Sequence, residues 1–178
     1  ITVQKKAPNS ASPGQNINYE VYGVTNGSSG KLENFYIHDR IPTDATRVSK
    51  ITTGTYNERM YYQITYKTNY RDYIVLADNL LTSNDYEFSL HSNALGLQNG
   101  EYVTDVRLEF PQASPGFTQT KSMRVFCQVL PSLPKDYRIT NRADVGGRYG
   151  NEWESALTSW NTTVWTNETA TPLPKTGY

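Results

Sequence analysis

Cysteine is almost absent from this chain. Cys127 stands alone among 178 residues, so no intramolecular disulfide can form. Small secreted domains usually lean on disulfides, so this one must draw its stability from size or from another kind of tie. Charge of one sign is missing too: 17 basic residues balance 17 acidic ones, with no basic run. That removes the electrostatic footprint of a nucleic-acid binder. No stretch approaches the ~20 apolar residues of a membrane-spanning helix. The two histidines, His38 and His91, have no second histidine or cysteine at ligand spacing, which excludes a zinc site. Asp78, Asp85 and Asp105 form no calcium loop, and no two of the scattered carboxylates stand out as a glycosidase pair. No cofactor or metal is expected, and the chain does not read as an enzyme.

What is abundant is tyrosine, 14 residues of it, together with threonine. Both favour half-buried strands. Alternation over Ile1–Lys6 predicts a first strand with Ile1, Val3 and Lys5 on one face. Strands follow over 16–25, 32–39, 60–66, 86–90, 103–110, 122–130, 137–145 and 155–165, separated by turn clusters such as Ser12-Pro13-Gly14 and Asn26-Gly27-Ser28-Ser29-Gly30. No long helix is expected, only a single turn near Ser92–Gln98. Many short strands between turns predict an all-β sandwich over residues 1–165. Cys127, alternating with Val125 and Val129, reads as a buried structural thiol. The tyrosines of 56–73 fit either a structural sheet face or a binding face for protein or glycan.

After Trp165 the composition turns polar. Thr166–Pro172 carries no bulky apolar side chain and reads as an unstructured linker, placing a tail over 166–178. That tail ends in Leu173-Pro174-Lys175-Thr176-Gly177, which matches the LPxTG pentapeptide read by sortase transpeptidases. Pro174 disfavours helix and keeps the segment extended, as a peptide-cleaving enzyme requires. The resemblance implies cleavage between Thr176 and Gly177, transfer of the Thr176 carbonyl to a peptidoglycan amine, and an extracellular, wall-anchored location. A sorting signal ordinarily continues into a hydrophobic stretch and a basic tail; the sequence ends at Tyr178, as expected of a chain trimmed ahead of that segment. In a bacterial protein, the Asn161-Thr162-Thr163 and Asn167-Glu168-Thr169 glycosylation patterns are plain strand and linker residues.

A second resemblance covers the domain. Val3-Gln4-Lys5-Lys6-Ala7, Ser12-Pro13-Gly14-Gln15, Ile17-Asn18-Tyr19-Glu20-Val21, Thr25-Asn26-Gly27, Ile37-His38-Asp39-Arg40-Ile41-Pro42 and Ile139–Gly147 resemble, in that order, modules of Gram-positive surface proteins. These are the DUF11-like group, related to collagen-adhesin-type (CnaA-like) domains with an Ig-like sandwich. The stretch 56–130 is less similar. Such modules often carry an isopeptide bond from a first-strand lysine to a late-strand asparagine, assisted by an acidic residue. Here the resemblance implies Lys5, Asn141 and Asp39 in those roles. Strand phase agrees: Lys5 lies with Val3, Asp39 with Phe35 and Ile37, and Asn141 with Ile139 and Ala143. An apolar core favours the neutral forms of an amine and a carboxyl, which suits attack of the amine on the carboxamide carbonyl with the acid polarising it. Lys6 faces the other way and is the second choice. The expected function is a stalk or spacer domain with sortase and peptidoglycan as partners. The alternative is an adhesin module that binds host protein or glycan directly.

Overall fold

The computed structural model describes residues 1–170. Fourteen strands and one helical turn follow in chain order: β1 (Thr2–Lys6), β2 (Ser10–Ala11), β3 (Asn16–Thr25), β4 (Leu32–Arg40), β5 (Thr46–Thr52), β6 (Thr55–Tyr56), β7 (Tyr61–Thr68), β8 (Ile74–Leu81), β9 (Glu87–Ser89), α1 (Ser92–Leu95), β10 (Val103–Ala113), β11 (Gln119–Lys121), β12 (Met123–Val129), β13 (Arg138–Tyr149) and β14 (Glu152–Val164). They build a five-stranded sheet in the order β1-β3-β12-β5-β9 and a seven-stranded sheet in the order β2-β14-β13-β4-β10-β7-β8. A small β11–β6 ribbon stands beside them. All pairings are antiparallel except the short β2–β14 contact. The chain is an all-β sandwich.

Period-two burial explains why the sheets face each other. Ile17, Tyr19 and Val21 on β3, and Met123, Val125, Cys127 and Val129 on β12, point inward from one sheet. Phe35 and Ile37 on β4, Val106, Leu108 and Phe110 on β10, and Ile139, Ala143 and Val145 on β13 meet them from the other. Cys127 is buried, and burial, followed by the charge of Asp39, pushes its thiol up to about 12; it is inert at ordinary pH. The tyrosine-rich stretch divides. Tyr56 and Tyr62 join Phe35, Phe110 and Phe117 in an aromatic cluster with ring centroids 4.7–6.3 Å apart, while Tyr61 and Tyr70 face solvent.

The structure departs from the sequence expectation in several places, the short strands β2, β6 and β11 among them. Thr46–Thr52 and Ile74–Leu81 form strands that polar or mixed alternation concealed. The last two long strands extend to a hairpin tip at Tyr149–Glu152, and the first residues of β14 are exposed on both faces. Residues 167–170 run back along the domain. The backbone N–H of Lys135 donates to Asn167 Oδ1 at 2.7 Å, and Thr169 Oγ1 donates to the Pro131 carbonyl at 2.9 Å. No helix among the described residues is long and apolar enough to cross a membrane.

Candidate functional site

Three strands from two sheets bring one polar constellation into the apolar core. β4 and β13 are neighbours, with Asp39 opposite Ala143, so Asp39 and Asn141 lie diagonally on one inward face. Lys5 arrives from β1 at the edge of the facing sheet, where it pairs with Val21. Its Nζ forms an ion pair with Asp39 Oδ2, and both side chains are wholly shielded from solvent. Asn141 Nδ2 donates to the other carboxylate oxygen, Oδ1, at 3.2 Å. The carboxyl of Asp39 therefore bridges the amine and the carboxamide.

The surroundings are shielded from solvent and mostly apolar. The Lys5 Nζ lies 5.3 Å from the centroid of the Tyr19 ring. Burial raises the Tyr19 phenol well above its ordinary range, followed by the nearby Cys127 thiol and the Asp39 charge, so it stays protonated. Asn141 Oδ1 is buried and has no hydrogen-bond partner among the described residues. Leaving such an acceptor unpaired costs about 1–3 kcal/mol. This differs in one respect from the sequence reading, which set Asp39 against the carbonyl; here the carboxamide nitrogen faces it. A half-turn of the carboxamide would bring Oδ1 to Asp39, where a protonated carboxyl could donate to it. Lys6, the second-choice amine, is exposed and sits 3.5 Å from Glu20 and 4.8 Å from the Tyr22 ring.

The sorting residues Leu173, Pro174, Lys175, Thr176 and Gly177 lie outside the described residues. A cluster that sequence reasoning missed occupies the outer face of the seven-stranded sheet. His38 Nδ1 is 2.8 Å from Asp144 Oδ1 and its Nε2 is 2.6 Å from Asp105 Oδ2. The only signal for it was a shared outward phase on β4, β10 and β13, and strand order is needed to make those residues neighbours.

No family model matches the chain, and no curated protein matches it. Among solved structures it is similar to the collagen-binding domain of a Staphylococcus aureus adhesin. The identity is 10%, the match covers 92% of this chain and 97% of that one, and the TM-score is 0.42. It is also similar to the C-terminal domain of the Streptococcus agalactiae AgI/II polypeptide BspA, at 11% identity and a TM-score of 0.40. That match covers 92% of this chain and 50% of the other.

Proposed function

We propose that the chain is a load-bearing spacer domain, stitched by its own isopeptide bond between Lys5 and Asn141 and held on a cell wall through its C-terminal sorting motif. The observation that carries the first half is the burial of an amine, a carboxyl and a carboxamide in one contact set. Placing a lysine and an aspartate in a dry core is expensive, several kcal/mol per ion before their attraction is counted. A reaction that removes both buried charges rationalises that placement.

Chemically, the pair can pass a proton from Lys5 to Asp39, leaving a neutral amine and a neutral acid with no change in total charge. The Nζ lone pair then forms a bond to Cγ of Asn141. The Cγ–Nδ2 bond breaks, Asp39 carries the amine's proton to Nδ2, and ammonia leaves. Nothing is oxidised or reduced. Asp39 is suited to this shuttle because one oxygen faces the amine and the other faces the leaving nitrogen. Strand packing supplies the proximity that would otherwise be an entropic barrier. The event happens once per molecule.

Intact-mass spectrometry tests it. The folded protein should weigh one ammonia less than its sequence, and a digest should yield a branched peptide joining Lys5 to Asn141. Asp39→Ala, Lys5→Arg and Asn141→Ala should each restore the full mass and lower the melting temperature. A full wild-type mass in folded protein sinks the crosslink.

Anchoring rests on Leu173–Gly177 at the end of a Thr/Pro segment. A sortase with a glycine nucleophile should cut after Thr176, and Leu173→Ala or Thr176→Ala should stop it without changing the melting temperature. Survival of the intact chain under conditions that cleave a control LPxTG peptide would overturn the assignment.

A further inference from the structure

A groove of about 560 Å³ crosses the solvent face of the seven-stranded sheet, away from the buried Lys5 site. Its floor comes from the outward residues of β4, β10 and β7, notably Tyr36, Arg107 and Gln63. Trp153, from the start of β14, forms one wall, and Asp78 and Asn79 of β8 form the other. The volume falls in the range of small-ligand sites.

Two β-bulges shape it. On β4, one extra residue intervenes where Gly146 and Arg148 of β13 pair with Tyr36 and Glu33, and Asn34 there has φ 50°. On β8, one extra residue intervenes where Tyr62 and Ile64 of β7 pair with Leu80 and Ala77, and Asn79 there has φ 53°. Left-handed backbone is uncommon outside glycine, and bulges re-aim side chains beside them. Both of these bulges border the same groove.

The lining has a definite chemistry. Trp153 and Tyr61 are 62% and 56% exposed, unusual for side chains that bury so much apolar area when they can. Arg107 lies with its guanidinium 4.4 Å from the Tyr36 ring centroid, and its Nε approaches Glu109 Oε2 only at 3.6 Å. Gln63 Nε2 donates to Glu109 Oε1 at 2.8 Å, fixing that carboxylate on the floor. Aromatic faces are thus set among carboxylates and carboxamides. With Arg107 offset by Glu109, Asp78 leaves the lining net negative.

We propose that this groove binds a short segment of uncharged oligosaccharide. A sugar ring offers an apolar C–H face for Trp153 and Tyr61 and a rim of hydroxyls that donate to Asp78 and Glu109 and accept from Arg107. Sialylated or sulfated glycans meet the net negative lining unfavourably. A proline-rich peptide, the other ligand of aromatic grooves, has carbonyls but almost no donors to offer Asp78. The site goes beyond a spacer role and does not depend on the crosslink.

The test uses the full chain on an array of neutral animal-type glycans and neutral bacterial wall-polysaccharide fragments, with sialylated, sulfated and proline-rich peptide arms. The binding class identifies the source. A neutral glycan should bind and change tryptophan fluorescence, and Trp153→Ala or Asp78→Ala should weaken it about tenfold or more. Leu157→Ala, exposed on the same strand outside the groove, should leave it unchanged. Unchanged melting of the variants separates lost binding from lost fold. Binding only to the acidic glycans or to the peptide, binding insensitive to Trp153→Ala, or no neutral glycan bound at millimolar concentration would each overturn the proposal.

Discussion

His38 holds a carboxylate on each ring nitrogen, and only the doubly protonated imidazolium can donate to both. Burial pulls its pKa down, but the hydrogen bonds to Asp105 and Asp144, with their charges, outweigh that and leave it raised above 6.5. Both carboxyls are lowered: burial opposes this, and His38 is the main cause of it. The signs define a window. The histidine contribution is full below its unfolded value, about 6.5, and is lost as pH rises through the raised folded value. The aspartate contribution is present above about 4 and is lost as pH falls through the lowered values. Melting temperature should therefore decline from pH 6 to 9 in the wild type, and His38→Gln should flatten that decline. An identical pH profile in the variant would remove His38 from the account. Lys5, Asp39 and Asn141 were legible at this scale through the family resemblance, with which their inward strand phase agreed. The His38 cluster was not, because its three members are polar residues on outward phases, where polar residues are ordinary.

At the scale of elements, the strands found from sequence are those with one apolar face. β10 and β12 alternate cleanly and were placed within a few residues. β5 reads Thr-Arg-Val-Ser-Lys-Ile-Thr and buries Thr46, Val48 and Ile51, which breaks strict alternation. Its pairing with β12 shifts register between Phe126 and Cys127, so a bulge accounts for the lost period. β8 is a sheet edge that leaves Val75 half exposed and carries the Asn79 bulge. The long hairpin of β13 and β14 uses Gly146 for a close approach. A Cβ there would meet the Tyr36 hydroxyl at 2.6 Å, so the missing side chain is what lets Tyr36 lie on the groove floor. Glu101 ties two loops together. It accepts from Thr68 Oγ1 at 2.6 Å, from the Gln98 backbone N–H at 3.0 Å and from Arg71 Nε at 2.8 Å. These bonds, that of Thr68 foremost, hold its carboxyl down at about 2.

For the whole molecule, the placement of Lys5 and Asn141 decides how force would travel. They sit on the first strand and the last but one, in opposite sheets, so a bond between them would tie the sandwich shut across its core. Tension applied at residues 1 and 170 would pass through the bond, and residues 6–140 would carry none of it. By analogy with disulfides, closing so long a loop stabilises by on the order of 4–5 kcal/mol. In single-molecule pulling, the wild type should not release the segment between the two residues, whereas Asp39→Ala should release roughly 470 Å of extended chain. Equal contour lengths for the two proteins would contradict a closed loop.

Composition and period-two alternation alone determined that the chain is all-β, that it lacks a disulfide, and which face of β1, β4 and β13 points inward. These are local properties, since a strand's side chains alternate whatever lies beside it. Strand order, bulge positions and the pairing of β13 with β4 were decided only by tertiary structure. They arise from long-range pairing between residues that the sequence holds far apart, such as His38 with Asp144 or Tyr36 with Gly146. The buried triad straddles the two levels. Its members were named by the family resemblance, with which strand phase agreed, but only the sandwich brought an amine from one sheet against a carboxyl from the other. The groove belongs wholly to the second level, because exposed aromatics become a site only when folding sets Trp153 opposite Asp78 across four strands.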